Sequence, residues 1–194
     1  MGDKHEVSRF GHVELADMPE DLRERIGAVA ERSGFVPNVF RALARRPREL
    51  RAFLDYHDAL MESNDGLSKA ERELVVVATS GANSCTYCVV AHGATVRALS
   101  GNPALGDTLS VNYRAADLSP RHRAMLDFAA ALTLEPARCD TADTRRLREA
   151  GFSDRAIWDI TAVAAFFNMT NRVATATKMK PNAEYYSMAR DAAD

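Results

Sequence analysis

Helix-opening signals recur along the whole chain, each followed by apolar residues at helical spacing. Ser68-Lys69-Ala70-Glu71 has the pattern of a capping box, and an apolar run through Ala78 follows it. Ser119-Pro120 precedes Met125, Leu126, Ala129 and Leu132 on one face. Ser153-Asp154 precedes Trp158, Ala162, Ala165, Phe166 and Met169. Pro19-Glu20-Asp21 puts a proline and two acids where the positive end of a helix dipole favours them, ahead of Leu22, Ile26, Val29 and Ala30. Pro37 and Pro47 punctuate two further segments. The second carries Leu50, Phe53, Leu54, His57 and Met61 on one stripe before the turn residues Asn64-Asp65-Gly66. Asp140 to Ala150 reads as a short polar helix closed by Gly151, and Pro181 opens a terminal segment. No stretch shows the alternation of a half-buried strand; Val75-Val76-Val77 is read as helix from its caps and neighbours. Thirty-three of the 194 residues are alanine, the best helix former, which reinforces the same reading. The expected fold is all-α.

At 194 residues the chain fits one domain. We expect an N-terminal arm over 1–18, loosely ordered or contacting an oligomer partner, and a single helical domain over 19–194. Its motif-bearing core spans 67–100 and its second helical half 119–180. Shifting the sequence by 85 residues aligns Ser68 with Ser153 and Asn83 with Asn168, a pattern compatible with a degenerate duplicated hairpin. Lys+Arg 25 against Asp+Glu 27 leaves a net charge of −2, so there is no basic field for a nucleic-acid backbone. A hydrophobic fraction of 46% is too high for a disordered chain. The first thirty residues lack the apolar core of a signal peptide, and Ala162 to Phe167 is far too short to span a bilayer. The expectation is a cytoplasmic protein with no membrane partner.

Three cysteines cannot pair completely, which excludes a secreted disulfide scaffold. Cys85 and Cys88 are three apart. With Asn83 or Ser84 as helix cap, Cys85 falls in the first turn and Cys88 about one turn deeper, both sulfurs on one face. His92, four residues beyond Cys88, joins that face. Unpaired first-turn N–H groups favour thiolate there, most strongly at Cys85. Residues 73 and 92 are symmetric about the Gly81–Ser84 turn. In an antiparallel hairpin Glu73 and His92 therefore lie at one level, where a carboxylate can orient an imidazole. Glu73, His92, Cys88 and Cys85 thus form a candidate redox site with a proton relay.

Glu73-x11-Cys85-x2-Cys88-x3-His92 resembles the active-site signature of the alkylhydroperoxidase AhpD-like family, in the carboxymuconolactone decarboxylase superfamily. Gly34-Phe35-Val36-Pro37-Asn38 and Ala164 to Arg172 resemble its peroxidase-related branch, so the likeness spans roughly 35–179. The resemblance implies a helical fold assembled as a trimer or hexamer, and reduction of organic hydroperoxides without a bound cofactor. It also implies roles: Cys88 as the peroxidatic thiol, Cys85 as the resolving one, and Glu73 and His92 as the relay. The disulfide would be reduced by an external dithiol or lipoyl-type protein. One departure is Tyr87, which stands between the cysteines where AhpD has histidine; it is a candidate substrate-binding residue.

Two alternatives use the same residues. One is a general thiol–disulfide oxidoreductase. The other is a non-catalytic redox sensor or zinc protein, in which Cys139 would have to supply the fourth ligand. Otherwise Cys139 is expected to be a bystander and His57 a structural histidine. Arg41, Arg45, Arg46, Arg48 and Arg51 are expected on a solvated or salt-bridged face. Trp158, Phe166, Phe167 and Met169 are expected in the core or a subunit contact, with an apolar hydroperoxide pocket as the other reading.

Overall fold

The structure, a computed structural model, describes residues 7–63 and 65–190. Among these residues there is no strand, and the α-helices follow the punctuation of the sequence. They are α1 (Glu20–Ser33), α2 (Asn38–Leu43), α3 (Pro47–Met61), α4 (Lys69–Ala82), α5 (Thr86–Ser100), α6 (Leu105–Asn112), α7 (Pro120–Leu134), α8 (Thr141–Glu149), α9 (Asp154–Ala176) and α10 (Glu184–Ser187). The capping box closes at α4: Ser68 Oγ accepts from the Glu71 N–H at 3.2 Å and Glu71 Oε2 from the Ser68 N–H at 2.9 Å. Asp140 closes a second capping box with Asp143 at α8, while Ser119 and Ser153 cap α7 and α9 by accepting the N–H of His122 and of Ala156. The 61–66 turn includes Asn64, which lies outside the described residues.

α4 is the hub. Every residue from Arg72 to Ser80 is buried, because α5, α6, α7 and α9 surround it. A helix apolar on all sides belongs in an interior, and this packing overrides the weak helix propensity of the three consecutive valines. α6, which the sequence pattern does not announce, lies against α5 through a glycine contact. A Cβ added at Gly106 would stand 2.6 Å from the Gly93 carbonyl oxygen, so the two backbones touch where side chains would hold them apart.

A second, smaller core gathers Met18, Leu22, Ile26, Leu50 and Leu54 from α1, α3 and the segment before them. It sits beside the main core, and Phe53 packs against both. Residues 7–18, expected within a loose or oligomer-contacting arm, lie along the body. Val7 and Met18 are buried, and Arg9 N–H donates to Thr177 O at 2.8 Å. Residues 1–6, the rest of that arm, lie outside the described residues. Trp158, expected in the core or a contact, is 73% exposed on this chain, since Ile157 and Ile160 take the inward face of α9. No helix among the described residues is long and apolar enough to cross a membrane.

Candidate active site

The turn between α4 and α5 sets the position of the cysteines. Ser84 adopts φ +52°, in the left-handed region, which lets the Cys85 N–H reach back to Ser80 O at 2.9 Å. Cys85 is therefore the N-cap of α5 rather than a member of its first turn, and Cys88 is the third helical residue. The sequence expectation places the cap one or two residues too early because it lacks this sharp bend. Both thiols are free and buried.

The protonation of each thiol depends on the other. The Cys88 S–H bonded to Cys85, aided by Thr175 and Asn171, overcomes burial and brings the Cys85 pKa down to about 6. The same bond and burial push the Cys88 thiol well above its ordinary value. The reduced pair thus holds one proton at neutral pH, on Cys88, with the negative charge on the capping cysteine beside the first-turn N–H groups. Absorbance at 240 nm should show one thiolate forming with a midpoint near pH 6. In Cys88→Ser, which replaces the S–H donor, the midpoint shifts. The folded pKa of Cys85 lies below the usual thiol value of 9.0. Its charge accordingly stabilises the reduced fold fully above that value, and this contribution fades as pH falls toward 6.

Glu73 and His92 meet across the hairpin: His92 Nδ1 lies 2.7 Å from Glu73 Oε2. Phe167 meets the His92 ring edge-to-face at a centroid distance of 4.8 Å, which fixes its tilt. His92 is one helical turn beyond Cys88, so ring and sulfur share a face of α5.

This face forms a wall of a cavity of about 530 Å³ between the two cores. Cys88, Ala91 and His92 line it from α5, and Phe166, Phe167 and Met169 from α9. Phe40, Phe53, Tyr56 and His57 face them from α2 and α3. Cys85 is absent from the lining and 1% exposed, so it lies behind Cys88 as seen from the cavity. Tyr87 also lines it, but its hydroxyl oxygen accepts the Val39 N–H at 2.9 Å and ties the start of α2 to α5. Burial pushes the phenol well above its ordinary pKa, so it stays protonated.

Asn171 is a site residue that sequence reasoning missed. It is 1% exposed, favours the charged form of both thiols, donates to Ser80 Oγ at 3.0 Å and accepts from Asn83 Nδ2 at 2.9 Å. Asn168, Asn171 and Thr175 recur at helical spacing along the second half of α9, and that polar stripe was the available signal. One of the two pairs aligned by the 85-residue shift is in contact, since Asn83 Nδ2 donates to Asn168 Oδ1 at 2.9 Å. Cys139 is remote from the dithiol in the loop after α7, its thiol pushed up by burial and by Asp143 and Asp140. Among the described residues no three His, Cys, Asp or Glu side chains are grouped so as to hold a metal ion. Of the five arginines read together, Arg41 pairs with Glu14, Arg46 with Glu49 and Arg51 with Asp21.

Residues 47–104 match the model of the carboxymuconolactone decarboxylase family. No curated protein matches the chain. Among solved structures, the chain is similar to an alkylhydroperoxidase AhpD core, an uncharacterized peroxidase-related protein from Ralstonia eutropha JMP134. That likeness has 51% identity and a TM-score of 0.94, and covers 97% of this chain and 100% of the other. A peroxidase-related protein from Silicibacter sp. TM1040 is 47% identical with a TM-score of 0.91, over 98% and 100% of the two chains. The debrominase Bmp8 shares the fold at 20% identity, with a TM-score of 0.77 over 96% of this chain and 97% of its own.

Proposed function

The chain belongs to the AhpD-like, peroxidase-related branch of the carboxymuconolactone decarboxylase family, and from that premise we propose that it is a thiol-dependent peroxidase of organic hydroperoxides. The observation that carries this reading is the placement of Cys88 on the wall of an apolar cavity, with Cys85 three residues earlier buried out of the cavity's reach.

The Cys88 proton shifts to Cys85, and the Cys88 thiolate attacks the terminal oxygen of the hydroperoxide. The O–O bond breaks, Cys88 becomes a sulfenic acid, and the alkoxide leaves as an alcohol with a proton delivered by His92. Glu73 holds the His92 ring in the orientation this transfer needs. Cys85, again a thiolate, attacks the sulfenic sulfur. The S–O bond breaks as the disulfide forms, and the departing hydroxide becomes water. Two electrons pass from the sulfurs to the peroxide. The one proton of the reduced pair ends on the water, and a proton taken from solvent through His92 ends on the alcohol. An external dithiol, of lipoyl type in the reading we favour, returns the pair to the reduced state. Assembly into a homo-oligomer would cover the exposed Trp158.

A phenyl group buried in the cavity binds through its apolar area, whereas hydrogen peroxide has none to bury. With dithiothreitol as reductant, kcat/KM for cumene hydroperoxide should exceed that for hydrogen peroxide by about 10- to 100-fold. Equal values would contradict the role given to the cavity. Efficient reduction of small disulfides with no hydroperoxide consumption would establish the alternative, a general thiol–disulfide oxidoreductase.

A further inference from the structure

The cavity carries a second imidazole that the chemistry above does not use. His57, on α3, lines the same space as His92. Its Nδ1 lies 3.0 Å from Asp58 Oδ1, and Asp58 Oδ2 accepts from Arg25 Nη2 at 2.8 Å. Burial alone would raise the Asp58 carboxyl, but the bonds from His57 and Arg25 outweigh it and hold the group below its ordinary value. A carboxylate only accepts hydrogen bonds, so the nitrogen facing it is an N–H. In the neutral ring Nε2 is then a lone-pair acceptor, and it has no hydrogen-bond partner among the described residues.

The ring is also fixed by its neighbours. Phe53 stacks on it at 6.1 Å and 18°, and Phe166 tilts against it at 6.2 Å. Phe166 meets Phe167 at 5.4 Å, and Phe167 meets His92 at 4.8 Å. The two imidazoles are therefore joined by an aromatic wall two rings long. One marks the reactive end, beside Cys88, and the other supplies an oriented acceptor farther along an apolar surface. The His57 side chain is 26% exposed, and an oriented acceptor on an apolar wall favours ligands that bring a donor to it, because their apolar body and their hydroxyl are then satisfied together.

We infer that His57 is a substrate-recognition residue that accepts a hydrogen bond from a hydroxyl group on the apolar body of the ligand. The substrate class is thereby a hydroxyl-bearing apolar hydroperoxide, its peroxy group at Cys88 and its hydroxyl at His57. The peroxy half of that description rests on the peroxidase reading; the hydroxyl half does not.

Calorimetric titration of the reduced protein with 4-hexylphenol and with hexylbenzene tests it. Wild-type protein should bind the phenol about tenfold more tightly, the value of one well-placed hydrogen bond. In His57→Phe, which keeps an aromatic ring between Phe53 and Phe166, the ratio of the two affinities should fall to about 1. In His57→Gln, which restores an acceptor, part of the preference should return. Equal wild-type affinities, or a preference that survives in His57→Phe, overturns the inference. Cumene hydroperoxide consumption by the same wild-type preparation tests the peroxidase reading separately. Its absence alongside an intact phenol preference would sink that reading and leave the hydroxyl subsite standing.

Discussion

Cys88→Ser will lower hydroperoxide consumption by on the order of a thousandfold or more, because the hydroxyl that replaces the thiol is not ionised near neutral pH and is a weak nucleophile. Cys85→Ser will also stop steady turnover, but by a different route. It leaves Cys88 on the cavity wall and removes the partner that closes the disulfide. The first oxidation should still occur, more slowly because Cys85 no longer takes the Cys88 proton, and each chain should consume about one equivalent of cumene hydroperoxide and then stall as the sulfenic acid. The acidity of the two thiols makes this pair of variants informative. Cys85 is the more acidic, yet Cys88 is the one the cavity reaches. Access, on this account, decides which sulfur meets the peroxide, and the shared proton lets the charge follow. A Cys88→Ser protein that still consumes hydroperoxide in the first turnover would reverse the roles.

Asp159→Ala should cost about 3–5 kcal/mol of stability, far more than a surface truncation. Arg72 on α4 is fully buried, and its Nη2 donates to Asp159 Oδ2 on α9 at 2.8 Å and to Asp65 O at 2.6 Å. Asp159 also accepts the Leu67 N–H at 3.2 Å. Arg72 Nε and Nη1 have no partner among the described residues, so the carboxylate is the compensation for a buried positive charge. Without it the guanidinium stands uncompensated in the interior. For a chain of this size the melting temperature should fall by about 6–20 °C. The double replacement Arg72→Met with Asp159→Leu should recover much of that loss, since a buried pair is often matched by apolar residues of similar volume. A melting temperature for Asp159→Ala within about 2 °C of wild type would contradict this assignment.

The helices and the relay geometry were legible in the sequence for one reason: both depend on local spacing. Ser68, Ser119, Asp140 and Ser153 announce their helices because capping is a short-range hydrogen bond. Glu73 and His92 meet because two antiparallel helices joined by a tight turn preserve level, and level can be counted. What was not legible depends on contacts between distant segments. α6 forms although Gly106 weakens it, because that glycine lets it lie against Gly93. Asn171 reaches the thiols only because α9 packs along α4 and α5. His57 reads as a structural histidine on an apolar stripe, and only the gap between the two cores puts it on the wall of the cavity. The exposure of Trp158 is of the same kind, for a 23-residue helix offers the pattern several ways to turn.

The most direct test is trapping after a single turnover. Reduced Cys85→Ser is mixed with one equivalent of cumene hydroperoxide in the presence of dimedone, and the modified peptide is found by mass spectrometry. One adduct per chain is expected, on Cys88, and in wild-type protein a Cys85–Cys88 disulfide with no adduct. An adduct on Cys139, or none on Cys88 together with one on Cys85 in the Cys88→Ser protein, would contradict it.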